Sequence, residues 1–162
     1  MPDNPRRVVL VVEDSLADQE ILRRAFRSVD NGCDLRMLLD GESALCYLQQ
    51  AEPFAPPASA PPPDLILLDL NLPNLTGREV LERVRANPRI RHIPVIILTT
   101  TQAQNEVLEC YRLGANCFIT KPSTFQEFVQ LISTTCTYWF QFAKLPPRCA
   151  PGPAPSLDRP HP

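Results

Sequence analysis

Five short apolar runs divide this chain, at residues 8–12, 35–39, 65–68, 95–98 and 117–119. The first, VVLVV, is unbroken and mostly β-branched, as expected for a strand buried on both faces. Between the runs the spacing changes to that of helices. Ser15 opens the first helix with Asp18 three residues on, and Leu22, Ala25, Phe26 and Val29 recur at i, i+3, i+4 and i+7. Asn31-Gly32 ends it. Asp40-Gly41 leads into a second helix carrying Ala44, Leu45 and Leu48. Thr76 and Glu79 have capping-box spacing for a third, with Val80, Leu81 and Val84 inside it and Asn87-Pro88 closing it. A fourth covers residues 103–113, before Gly114. Thr124 and Glu127 cap a fifth that continues to residue 143. Five such units with short connections predict a doubly wound α/β fold, with one parallel sheet, right-handed crossovers and helices on both faces. Ligands of such sheets bind at the carboxyl ends of the strands.

The residues with chemistry stand at those ends. Glu13 and Asp14 follow the first run, Asp69 the third, Thr99 the fourth and Lys121 the fifth. Taken singly, an acid before a helix is an ordinary cap. Taken together, three carboxylates at neighbouring strand ends repel and raise one another's pKa. A Mg²⁺ ion removes that repulsion, because it favours one or two carboxylates plus further oxygens. Lys121 on the opposite rim pairs with Asp69 and can then meet phosphoryl oxygens. Thr99 adds a hydroxyl, with Thr100 less directly placed. Metal, lysine and hydroxyl around one carboxylate suit phosphoryl transfer to Asp69 as nucleophile.

Composition narrows the setting. The chain has 162 residues, 44% of them hydrophobic, and a net charge of −2. That is one domain with enough apolar material for a core, and no bias toward nucleic acid or acidic membranes. No apolar run approaches the ~20 residues of a membrane span, and the first run is too short for a signal-peptide core. The expected location is the cytoplasm. Six cysteines, at 33, 46, 110, 117, 136 and 149, show no C-x-x-C pair or zinc-ligand spacing and are expected as reduced thiols. The 19 prolines concentrate at 51–63 and 146–162. The expected organisation is a domain over 6–143, interrupted by a proline-rich loop at 51–63, and a disordered tail over 144–162.

The segments VVLVVEDS, DLILLDLNLPNLTGREVL, IPVIILTT and CFITKP, in this order and spacing, resemble the receiver domain of two-component response regulators. The resemblance implies a flavodoxin-like (βα)5 fold with strand order 2-1-3-4-5. It implies phosphorylation of Asp69 by a sensor histidine kinase, and no enzymatic activity beyond self-phosphorylation and autodephosphorylation at Asp69. Asp14 and Asp69 would bind Mg²⁺ through their side chains, Glu13 through water and Asn71 through its backbone carbonyl. Lys121 would contact the phosphoryl group, Thr99 would be the switch hydroxyl and Phe118 the switch aromatic. GREVL, ILTT, ITKP and the FQEFVQ…YWF ending resemble the single-domain regulators paired with bacterial phytochrome kinases. The long proline-rich loop departs from the family pattern, as does Thr100, where a smaller residue is common.

The proline-rich end leaves no room for a DNA-binding or enzyme module, so the expected output is protein–protein contact. The last helix carries two apolar stripes. Phe128, Val129, Ile132, Cys136 and Trp139 or Phe140 should face the sheet, while Leu131, Tyr138 and Phe142 lie on another face. The helix is longer than the strands, so its aromatic end, Tyr138, Trp139, Phe140 and Phe142, should overhang the domain exposed, which predicts a homodimer through Leu131, Tyr138, Trp139 and Phe142. Three other readings compete with this one. An aspartyl-phosphate phosphatase needs a second acid where Asn71 stands. A flavin module needs a glycine- and hydroxyl-rich loop where Glu13-Asp14 stands. A phosphorylation-independent scaffold, or a relay intermediate or phosphate sink, uses the same fold.

Overall fold

The computed structural model describes residues 6–30, 32–51, 54 and 60–148. Five strands form one parallel sheet: β1 (Arg7–Val12), β2 (Cys33–Leu38), β3 (Leu65–Leu68), β4 (Val95–Thr99) and β5 (Cys117–Thr120), in the order β2-β1-β3-β4-β5. The five helices are α1 (Leu16–Ser28), α2 (Gly41–Gln49), α3 (Gly77–Ala86), α4 (Gln104–Arg112) and α5 (Phe125–Thr137).

The period-2 alternation of the strands builds two cores. Leu10, Val12, Ile66, Leu68 and Ile97 point to one face, where α2, α3 and Cys110 of α4 cover them. Val9, Val11, Leu65, Leu67, Ile96 and Leu98 point to the other, under α1 and α5. The predicted caps form: Ser15, Thr76 and Thr124 each accept from the third residue on, and the last two complete reciprocal capping boxes with Glu79 and Glu127.

Strand β2 covers Cys33–Leu38 rather than the run 35–39, and two helix ends differ further from the sequence expectation. Helix α1 stops at Ser28, ahead of Asn31-Gly32, because Val29 is already extended; Gly32 takes its positive φ in the following turn. The last helix does not run on as regular α-helix to residue 143. It ends at Thr137 and widens into a π-helical turn, Tyr138–Phe142, closed by the Ala143 amide donating to the Tyr138 carbonyl at 2.8 Å. The wider turn sets Trp139 and Phe140, adjacent in sequence, both against the α1/α5 core. Among the described residues Cys33, Cys46, Cys110, Cys117 and Cys136 form no disulfide; Cys149 lies outside them.

The proline-rich loop is tied down at both ends. The Tyr47 hydroxyl donates to the Pro61 carbonyl at 2.8 Å, and the Tyr47 ring meets Phe54 edge-on. Just beyond, the buried Asp64 carboxylate accepts from the Val8 amide (2.8 Å), from Arg7 Nη1 (3.1 Å), and from Arg148 Nη2 and Nε (2.6 and 3.2 Å). Arg148 also donates to the Arg6 carbonyl. Arg148, within the expected tail of 144–162, is therefore held to the amino-terminal edge of the sheet, and residues 149–162 lie outside the described residues. The reason is that a buried carboxylate needs ion-pair partners that neither the loop nor β1 supplies in full.

Burial alone would raise the Asp64 pKa, but Arg148, the Val8 amide and Arg7 outweigh it and hold the carboxyl below the usual range. A depressed carboxyl pKa gives stability that is present above the unfolded value and lost as pH falls through the folded one. Arg148→Ala should lower the unfolding free energy by about 1–3 kcal/mol near neutral pH. The deficit should shrink as the pH falls below the usual aspartate range and through the depressed folded pKa of Asp64. Urea titrations of both proteins near neutral pH and in acid measure it.

Candidate functional site

The carboxyl edge of the sheet gathers the residues singled out above. The Asp69 amide donates to the Val12 carbonyl (3.0 Å) and the Glu13 amide to the Leu38 carbonyl (3.0 Å), so both acids leave the sheet in fixed directions. The Lys121 amide donates to the Thr99 carbonyl (2.7 Å), which brings the lysine back over the same edge. Its ammonium then meets Glu13 Oε2 at 2.6 Å, Asp18 Oδ2 at 2.8 Å and Asp69 Oδ2 at 2.8 Å. The Lys121 side chain is 7% exposed and those of Glu13 and Asp69 are 2% and 5%, so these contacts are shielded from water.

Asp69 is held from its other side as well. The Asn71 amide donates to Asp69 Oδ1 at 3.1 Å, and the Asn71 side-chain amide reaches toward the Thr99 hydroxyl at 3.5 Å. Thr99 is buried at the end of β4. Phe118 is half-buried against the α2/α3 core, and its amide donates to the Tyr111 hydroxyl at 3.2 Å. Thr100 is exposed.

The electrostatics follow from burial. Loss of water pushes the Glu13 carboxyl up to about 7, and the Asp69 charge adds to the rise against hydrogen bonds from Lys121 and the Ser15 amide. Burial disfavours the Lys121 ammonium too, but the bonds to Asp18, Asp69 and Glu13 outweigh it and push its pKa above the usual lysine range. The lysine is a fixed cation at any physiological pH.

One oxygen each from Glu13, Asp14 and Asp69 lies within 4.8 Å of the others, with Asp14 exposed at the mouth. An all-oxygen, anionic set fits a hard divalent ion such as Mg²⁺ and not a thiolate- or imidazole-seeking metal. One cation among these acids leaves the cluster negative, which is a further reason to bind a second.

A family model described as the response regulator receiver domain matches residues 9–133. This chain belongs to that family. The receiver is 36% identical to response regulator Rcp1 of Synechocystis over 88% of this chain and 95% of Rcp1. Its fold superposes on the phosphorylated cyanobacterial phytochrome response regulator RcpA with a TM-score of 0.81, at 33% identity, over 88% of this chain and all of RcpA. It superposes on the Mn²⁺-bound form of Rcp1 with a TM-score of 0.78, at 35% identity, over 87% of this chain and 99% of Rcp1.

Three residues of this receiver's site escaped the sequence reading. Asp18 looks like a helix-start acid, yet its carboxylate goes to the lysine. Its place four residues after Asp14, one helical turn above the acidic pair, was the available signal. Gln19 is buried and donates from Nε2 to the Glu13 carbonyl at 2.8 Å and the Leu38 carbonyl at 3.3 Å, tying the ends of β1 and β2 together; a lone glutamine in a helix gives no signal. Gly77 lets the start of α3 approach Asp69. A Cβ there would stand 2.0 Å from the Asp69 carbonyl oxygen.

Gly77→Ala should therefore displace the Asp69 loop and destabilise the receiver by about 1–3 kcal/mol, the range of an overpacked core. Thermal unfolding beside Gly32→Ala, where the added Cβ meets nothing within 4 Å, separates the clash from backbone strain.

Proposed function

We propose that this receiver accepts a phosphoryl group on Asp69 from the phosphohistidine of a sensor histidine kinase. The observation that carries this reading is the Lys121 ammonium 2.8 Å from the Asp69 carboxylate, beside acids that suit a divalent ion. An Asp69 oxygen forms the new O–P bond as the P–N bond to the donor imidazole breaks. The imidazole leaves with the bonding electrons. The transition state is loose and anionic, so positioning and charge supply most of the catalysis. Bound Mg²⁺, held by Asp14 and Asp69, by Glu13 through water and by the Asn71 carbonyl, would neutralise phosphoryl charge. Lys121 holds one phosphoryl oxygen, and the Thr99 hydroxyl turns to another. That turn opens space for Phe118, which is the switch. Attack of water on the same phosphorus returns free Asp69, so the only reactions are the protein's own phosphorylation and dephosphorylation.

The likeness to the cyanobacterial phytochrome response regulator RcpA supports a phytochrome-type photoreceptor kinase as donor, and the cytoplasm is the proposed setting. Among the described residues no helix is long and apolar enough to cross a membrane. Output passes through protein contact rather than nucleic acid. The proposed surface is the end of α5, where Tyr138 and Phe142 are 57% and 73% exposed. Leu131 and Trp139, expected beside them, are half-buried against the core. They border the surface, and Trp139 braces Tyr138 edge-on at 5.4 Å. A second copy of the chain is the proposed partner there.

Incubated with Mg²⁺ and a small phosphoryl donor, the protein should gain one phosphoryl group by intact mass. Asp69→Asn and chelator should each abolish it. An unlabelled parent protein, also refused by kinases, would leave the scaffold reading. In light scattering at micromolar concentration the parent should be a dimer and Tyr138→Ala/Phe142→Ala a monomer; identical masses would remove α5 as the interface.

A further inference from the structure

The three donors of the Lys121 ammonium are matched by three carboxylates, and the three are not equivalent. Glu13 and Asp69 belong to the acidic trio that suits a divalent ion. Asp69 is also the proposed acceptor. Both would be drawn elsewhere when the site works: a bound cation would pull on their oxygens, and phosphorylation would turn the Asp69 carboxylate into an acyl phosphate. Asp18 is outside that trio, on α1. It lies one helical turn beyond Asp14, and its own amide is fixed by the Ser15 hydroxyl at 3.2 Å. Its bond to Lys121 spans 103 positions of sequence and joins α1 to the segment after β5.

Helix-start electrostatics would account for an acid at this position. They do not account for its oxygen being 2.8 Å from a lysine that is 7% exposed. A long, flexible side chain loses rotamer freedom when held, and an anchor that persists through the reaction supplies that restraint in advance.

We infer that Asp18 is a positioning residue that holds Lys121 in the pocket while its bonds to Glu13 and Asp69 are exchanged for bonds to the phosphoryl group. This rests on the phosphoryl-acceptor reading above. It assigns Asp18 a part in the rate of phosphorylation without contact to the reacting atoms. Asp18 is partly exposed, at 29%, so its truncation leaves no cavity in the core.

The test compares labelling rates from a small phosphoryl donor at saturating Mg²⁺. Asp18→Ala should slow labelling about tenfold, the size of a typical contact-pair coupling. The Mg²⁺ concentration for half-maximal rate should stay where it is in the parent, because Asp18 is outside the ion's ligands. Asp18→Glu should recover at least half of the lost rate. In a Lys121→Met background, Asp18→Ala should have no further effect, which a merely structural role would not reproduce. Parent-like labelling of Asp18→Ala overturns the inference and leaves the acceptor reading intact. So does a loss of the same size in the Lys121→Met background. If Lys121→Met does not fold, Asp18→Glu as slow as Asp18→Ala overturns it by itself. A parent protein that takes no label removes the acceptor reading, and this inference with it.

Discussion

Everything at the carboxyl edge depends on one buried ammonium. Lys121 sits among Glu13, Asp18 and Asp69, and without it two nearly buried carboxylates would face each other without a counter-charge. Separating such charges from water is costly unless partners of opposite sign replace the hydration. The lysine provides that on one side of the cluster. On the other side Asp14 adds a further acid, so the group remains negative and open to a divalent ion. The same arrangement that offsets the cost of burying these acids leaves an all-oxygen, negative cluster that suits a divalent ion.

Strand β3 makes the point twice. Asp64 precedes it and Asp69 follows it, both nearly inaccessible to water. Asp64 has a full set of partners: two arginines and a backbone amide, with a pKa held low. It is finished, and it fastens β1 and Arg148 to the sheet. Asp69 has a lysine on one oxygen and an amide on the other, next to acids that bring no proton donor. Its partners differ from those of Asp64. The same residue type, four apolar residues apart, is closed off by arginines at one end and lies in the acidic cluster of the candidate site at the other because of what the neighbouring elements bring.

The surface far from the edge has a separate logic. Helix α5 is bound to the core by Phe128, Ile132 and Cys136, then widens so that Trp139 and Phe140 continue that packing. What remains outside is Tyr138 and Phe142. The apolar face is thus smaller than a regular helix would have offered.

The chain's own pattern determined the five strands, the capped helices, the face each strand residue takes and the identity of Glu13, Asp14, Asp69, Thr99 and Lys121 as edge residues. These are local matters: period 2 against period 3.6, a hydroxyl three residues before an acid, an acid or lysine directly after an apolar run. What only the tertiary structure decided are the contacts made across long stretches of chain. Asp18 is a routine helix-start acid until β5 returns Lys121 to it. Asp64 is a polar residue at a loop's end until Arg148 arrives 84 positions later. Gly77 is a permissive helix-start glycine until the Asp69 carbonyl closes on it. Likewise the π turn after Thr137 depends on two adjacent rings finding room against one core. Sequence spacing fixes which way a side chain leaves its own element; only packing fixes what it meets.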